Sequence, residues 1–271
     1  MAVSDEGTVT VAVGDGGWTY HHGARKRPFL DPVRTPAGRL VTRDAPEDHP
    51  WHHGLWFTIK FVNGENFWEE YDAYGVLRHQ GEPTFDGTTV RGTLHWIRPD
   101  RETVAVVEDR TWVHVPIDDT AYAIDLDTTL VPQVDTTFDR TPFTTWGGYG
   151  GLSLRGPGDW SETRLLLDDG REQERVLGDP GAWCDLSSAD RGVTLLDHPD
   201  NIRHPTPWYG STRAATYGDE GWSNFLNAAF LFHEPLEVAA GDGLRLRHRV
   251  VVHDGVWDHD RVTEAYEAWT S

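Results

Sequence analysis

Tyr122-Ala123-Ile124-Asp125-Leu126-Asp127-Thr128-Thr129-Leu130 reads as a β-strand. Tyr122, Ile124, Leu126, Thr128 and Leu130 fall on one side and Asp125, Asp127 and Thr129 on the other. That period of two gives one buried and one wet face. The same pattern recurs on either side. Val9, Val11 and Val13 alternate with smaller or polar residues, and Leu244, Leu246, His248, Val250 and Val252 alternate with Arg245, Arg247 and Arg249. The segments 88–97 and 104–115 read as further strands, and Asp86-Gly87, Asp169-Gly170 and Gly241-Asp242-Gly243 supply turns.

Helical periodicity is clearest at the end of the chain. Val262, Tyr266 and Trp269 fall at i, i+4 and i+7 within 261–269, with Asp258 or Asp260 placed to cap. Many short strands with almost no βαβ alternation predict an all-β, antiparallel β-sandwich closed by a short C-terminal helix. With no linker or repeat, residues 1–271 are expected to form a single domain. The Gly-rich run 147–158 is expected to be an ordered loop.

Composition narrows the function. A net charge of −20 is wrong for nucleic acid, whose phosphates demand a basic surface, and for an anionic membrane face. The N-terminus has no basic start followed by an apolar run, and no apolar stretch approaches the roughly 18–20 residues of a membrane helix. A soluble, cytoplasmic protein is the expectation. Cys184 is the sole cysteine, so no intramolecular disulfide forms, and it reads as a buried structural thiol. The chain carries 13 Trp, more than a core needs, so some are expected to line a pocket.

Three regions concentrate chemistry. The first is Asp48-His49-Pro50-Trp51-His52-His53-Gly54-Leu55-Trp56-Phe57, continuing into Asn63-Gly64-Glu65-Asn66-Phe67-Trp68-Glu69-Glu70. Imidazoles exchange protons near neutral pH, and indoles offer flat faces with one donor. The second is Trp146-Gly147-Gly148-Tyr149-Gly150-Gly151-Leu152-Ser153-Leu154-Arg155, where glycines permit close approach and Arg155 can hold a hydroxyl pair or a carboxylate. The third is Asp197-His198-Pro199-Asp200-Asn201-Ile202-Arg203-His204-Pro205-Thr206-Pro207-Trp208. All three are expected to line one concave face, with His52, Arg155 and His198 together.

In this reading His49, His52, His53 and His198 are the acid–base or carbonyl-polarising candidates. Trp56, Asn63, Trp146, Tyr149, Arg155, Arg203 and Trp208 are the substrate-binding candidates. Glu69, Glu70, Asp197 and Glu234 are the candidate carboxylates. No cofactor is certain. A divalent metal on His49, His52 and His198 is an alternative, although the spacings match neither HExxH nor a paired-Cys site. The expected partner is a neutral or weakly anionic sugar-like small molecule.

Arg27-Pro28-Phe29-Leu30 through Thr42-Arg43-Asp44, the His motif, Tyr149 to Arg155, Leu196 to Arg203 and Arg249 to Gly255 together resemble the DUF6807 family, often labelled PmoA-like. The resemblance runs over roughly residues 25–270. Many members carry a third His where Trp51 stands and an Arg where His53 stands, so His49 and His52 carry over most directly. The methane-oxygenase label implies membrane helices, and this sequence has no segment of that kind. The resemblance implies a β-sandwich associated with sugar metabolism, akin to galactose-mutarotase-type supersandwiches by fold analogy. Three functions are carried forward: a carbohydrate lyase or isomerase using His-mediated proton transfer, a non-catalytic sugar-binding protein, and a metal-dependent oxygenase or hydrolase.

Overall fold

The structure, a computed structural model, describes residues 2–24, 26–141, 148–214 and 223–271. Two antiparallel sheets stack face to face. The first runs in spatial order Ala2–Asp5, Thr8–Val13, Gly16–His21, Phe29–Arg34, Leu55–Ile59, Gly150–Arg155, Phe225–Ala228, Thr206–Ser211 and Arg175–Gly181. The second runs Glu172–Gln173, Arg164–Leu167, Trp183–Ser188, Arg191–Asp197, Leu244–Asp254, Ala121–Pro132, Val104–Asp118, Thr89–Ile97 and Val76–His79, with Thr84–Phe85 pairing off Thr89–Ile97. A small side sheet joins Leu236–Val238, Thr136–Asp139, Phe61–Val62 and Glu65–Asn66.

Alternation decides what meets what. Leu55, Phe57, Ile59, Leu152, Leu154, Leu226, Ala228 and Trp208 project from the first sheet, and Ile124, Leu126, Leu130, Val193, Leu195, Val250 and Val252 from the second, into one core. The strand read from Tyr122 to Leu130 extends over Ala121–Pro132 and pairs with Leu244–Asp254 and Val104–Asp118. Cys184 lies fully buried in this core, and burial pushes its thiol well above its ordinary pKa.

Both outer faces are covered, each differently. The helix His259–Thr270 lies against the second sheet, burying Val262 and packing Tyr266 and Trp269 beside Trp183, Leu196 and Trp257. Asp258 caps it by accepting from the Arg261 N–H at 2.9 Å. Burying one such valine stabilises by about 1.5–3 kcal/mol. The outer face of the first sheet carries an aromatic layer of Phe29, Trp56, Trp68, Tyr209, Phe225 and Phe232. Among the described residues, no helix is long and apolar enough to cross a membrane.

The Gly-rich run departs from expectation. Residues 150–155 form a central strand, not a loop, and every one of them is buried. Alternation is lost because both faces are covered. Gly151 sits at φ +107°, where a Cβ would come within 2.5 Å of the Ala228 carbonyl, so glycine there is a packing requirement.

Candidate active site

The histidine motif forms a tight loop pinned on the end of a central strand. Arg43 N–H donates to the Arg155 carbonyl (2.8 Å), Gly54 N–H to Arg43 (3.0 Å) and Arg155 N–H to Gly54 (2.7 Å). Gly54 has φ +59°, and a Cβ there would lie 2.4 Å from the Leu30 carbonyl, so the chain can pass this close only as glycine. Two successive turns, His49 N–H to Pro46 and His52 N–H to His49, bring the rings of His49 and His52 into a stack at 4.6 Å and 25°.

His52 lies between His49 and Phe225, whose ring is 5.1 Å away. Trp56 lies behind it at 5.2 Å. Burial, then the positive charges around it, lower its pKa well below 6.5, so at neutral pH the ring is uncharged. Its Nδ1 is buried with no hydrogen-bond partner among the described residues.

His49 is held differently. Its Nδ1 meets Oδ2 of Asp48 at 2.9 Å, and Asp48 accepts two bonds from Nη2 of Arg155, at 3.0 and 2.8 Å. Burial works to raise the Asp48 pKa, but the bond from His49 and the Arg155 charge hold it below the usual carboxylate range. A carboxylate only accepts, so Nδ1 of His49 carries a proton and Nε2 is its other nitrogen.

His53 sits behind this pair, clamped between Oδ1 of Asp44 (2.5 Å) and Oε1 of Glu70 (2.8 Å). Burial opposes its charge, and the two carboxylates outweigh burial and raise its pKa. Glu70 also meets Lys26 and Arg27. Against the opposing effect of burial, the bond from His53 first, then the Arg27 charge and the Lys26 bond, bring its pKa down to about 2. Both ring nitrogens of His53 are engaged in this clamp, so it positions the neighbouring carboxylates and does not present a lone pair to the cleft.

Above the aromatic layer opens a cleft of about 270 Å³, lined by His49, Trp51, His52, Trp68, Glu69, Tyr71, Thr141 and Tyr149. Tyr149 stacks on Trp68 (5.4 Å, 11°), and its hydroxyl donates to Tyr209 at 3.2 Å. Glu69 is paired with Lys60. The bordering charges are thus matched: Glu69 with Lys60, Asp48 with Arg155, and Glu70 with Arg27, Lys26 and His53.

Several candidates lie elsewhere. His198 stands on the far side of the sandwich, edge-on to Trp269 of the C-terminal helix at 5.0 Å and beside Arg247 at 2.9 Å. The three expected segments therefore do not share one face: Arg155 joins His52, and His198 does not. His49, His52 and His198 cannot form a common metal site. Among the described residues, no group of three or more His, Cys, Asp or Glu side chains is placed to hold a metal ion. Asp197 is buried under His204, His248 and Asn201, and Glu234 is an exposed partner of Arg203.

Trp208 points inward to the core, its Nε1 donating to the Gly181 carbonyl at 2.9 Å. Trp56 faces the site but lies fully buried beneath His52, so it supports the imidazole and cannot stack on a ligand. Asn63, at φ +50°, closes a turn by accepting from Thr137 N–H and donating to the Asp135 carbonyl. Arg203 ties loops together through the carbonyls of Phe230, Glu234 and Pro235. Tyr149 does line the cleft, and Trp146 lies outside the described residues.

Sequence reading missed the parts played by Asp48, Trp51, Trp68 and Tyr71. Asp48 and Trp51 lay within the histidine motif itself, and the continuation of aromatic and acidic residues from Trp68 to Tyr71 was the signal for the other two. Nothing near Arg27 marked it as the charge beneath Glu70.

Among solved structures, the chain is similar to a GH36 alpha-galactosidase, AgaB of Geobacillus stearothermophilus, with TM-score 0.51 and 10% identity over 94% of this chain and 41% of that one. The chain thus spans about two-fifths of that enzyme. It is also similar to a galactose mutarotase related enzyme of Lactobacillus acidophilus, with TM-score 0.50 and 8% identity over 95% of this chain and 98% of that one. At such identities the likeness establishes the fold, a galactose mutarotase-like sandwich. No curated protein matches the sequence. The profile of DUF6807, described as a family of unknown function, matches residues 8–267, and the chain belongs to that family.

Proposed function

We propose that the protein is a carbohydrate-active enzyme of the lyase or isomerase type, working on a neutral sugar or glycoside, including keto-sugars, by histidine-mediated proton transfer. One observation carries the proposal. His49, with Nδ1 held by Asp48, stacks on a buried neutral His52, and both open onto an aromatic-lined cleft. An imidazole fixed by a carboxylate through one nitrogen exchanges protons through the other. His49 takes a proton from the carbon beside a carbonyl, and the electron pair moves to the carbonyl oxygen. His52 supplies an N–H to that oxygen without bringing a charge, and His49 returns the proton to complete an isomerisation or assist a leaving group.

Trp51, Trp68, Tyr71 and Tyr149 give flat apolar walls beside polar groups, which suits the two-faced surface of a sugar ring. The matched bordering charges leave little reason for a strongly charged ligand to prefer this cleft. The sandwich folds to which the chain is similar include proteins named for galactose chemistry, which agrees with the proposal.

A thermal-shift screen tests it. Neutral sugars, glycosides and their keto derivatives are compared with aromatic acids and nucleotides, since a ligand of the folded state raises its stability by mass action. Stabilisation by members of the sugar set is expected. Stabilisation by nucleotides or aromatic acids alone contradicts the proposal.

A further inference from the structure

Tyr71 stands at the exposed mouth of the cleft, whereas Trp68 is buried at its base. Pockets for drug-sized ligands span about 300–1,000 Å³. At about 270 Å³ in all, with Trp51 and Tyr71 among its walls, this one encloses little more than a single ring. Trp51 and Tyr71 form its rim. Their rings meet at 5.3 Å and 70°, making an open corner, and Trp51 also meets His49 at 5.3 Å. The corner therefore adjoins the acid–base group.

Tyr71 is 54% exposed, and the other exposed large apolar side chains among the described residues are aliphatic. With Trp51, Tyr71 presents two ring faces at the mouth of the cleft, the amphipathic kind of surface on which rings stack. The residue before it is anchored: Glu70 is buried and held by His53, Arg27 and Lys26. Tyr71 is thus a platform on a fixed base.

We propose that Trp51 and Tyr71 form a second binding position for the ring attached to the reacting sugar. The substrate is then a neutral disaccharide or other glycoside with a cyclic partner, rather than a free monosaccharide. The inference rests on the proposed function and names the substrate class of the same cleft. It also places the glycosidic bond beside His49, where a departing oxygen can receive a proton.

The test compares a panel of neutral disaccharides with their component monosaccharides by calorimetric titration, on the wild-type protein and on Tyr71→Ala and Tyr71→Phe. The expected result is tighter binding of a disaccharide than of its parts. Tyr71→Ala should lower the disaccharide-to-monosaccharide affinity ratio about 5–10-fold, the scale of one lost ring contact. Tyr71→Phe should restore that ratio, because it keeps the ring face. Circular dichroism checks that both variants fold. If monosaccharides bind and the ratio is the same in all three proteins, the second position is wrong and the proposed function stands. If no sugar binds the wild-type protein, both fall.

Discussion

Nδ1 of His49 lies 2.9 Å from Oδ2 of Asp48, and this contact sets what the cleft can do. It fixes the tautomer of His49 and turns the ring so that it stacks on His52. Arg155 holds Asp48 from the other side, so a strand residue more than 100 positions away orients the loop histidine. Asp48→Asn keeps the shape and removes the charge. Turnover should fall roughly 10²–10⁴-fold, the scale of a lost acid–base contribution, and the melting temperature should fall as well, because buried Arg155 loses that counter-charge. Kinetics beside a melting curve decide it: a lowered melting temperature with normal turnover would make the contact structural.

His53 and Glu70 predict how stability depends on pH. The Glu70 pKa falls from 4.5 to about 2 on folding. Its contribution is present above pH 4.5 and is lost as pH drops towards about 2. The His53 pKa is raised above 6.5. Its contribution is complete below pH 6.5 and is lost as pH rises through the folded value. These two contributions are complete together only between pH 4.5 and 6.5, and His52, whose pKa folding lowers well below 6.5, costs stability as pH drops below 6.5. Melting temperature should therefore decline from about pH 6.5 downward and more steeply below 4.5, and Glu70→Gln should remove the extra steepness below 4.5. A variant that follows the wild-type curve there would refute the clamp.

A buried charge pair lies inside the sandwich. Glu108 and Arg110 both point into the core, 2.6 Å apart, and Trp96 and Thr128 donate to the same carboxylate. Glu108→Leu leaves Arg110 buried without its counter-charge and should cost about 3–5 kcal/mol. The double variant Glu108→Leu, Arg110→Met should recover much of that loss. Urea titration of all three proteins measures it, and equal losses in the single and double variants would contradict the account.

His198 provides a control on the far side of the sandwich. His198→Ala should leave turnover unchanged and lower the melting temperature modestly, since the ring contacts Trp269 and Arg247. A loss of turnover with normal stability would return it to the reactive set.

Strand alternation made the sandwich legible. The runs around Tyr122 and Leu244 are ladder neighbours, and the helix around Val262 begins after Asp258, a cap visible in the sequence. What could not be read was which face a polar residue meets after the sheets stack. Trp208 and His198 belong to one motif in the sequence, yet Trp208 enters the core and His198 meets the C-terminal helix. Residues 150–155 looked like a loop because a strand buried on both faces shows no alternation. That His49 and His52 lie side by side was legible because both belong to one short loop. Arg27 was missed because its partner Glu70 is distant in sequence.

The most direct test is solvent hydrogen exchange into substrate. The wild-type protein is incubated in deuterated buffer with the reducing sugar or keto-glycoside that stabilises it most, and proton NMR follows the C–H beside the carbonyl. The account predicts deuterium at that carbon, or product carrying it, with His49→Ala and His52→Ala slowing the process roughly 10²–10⁴-fold while both variants remain folded. Tight binding of the sugar by the wild-type protein with neither deuterium incorporation nor product would contradict catalysis and leave a sugar-binding protein.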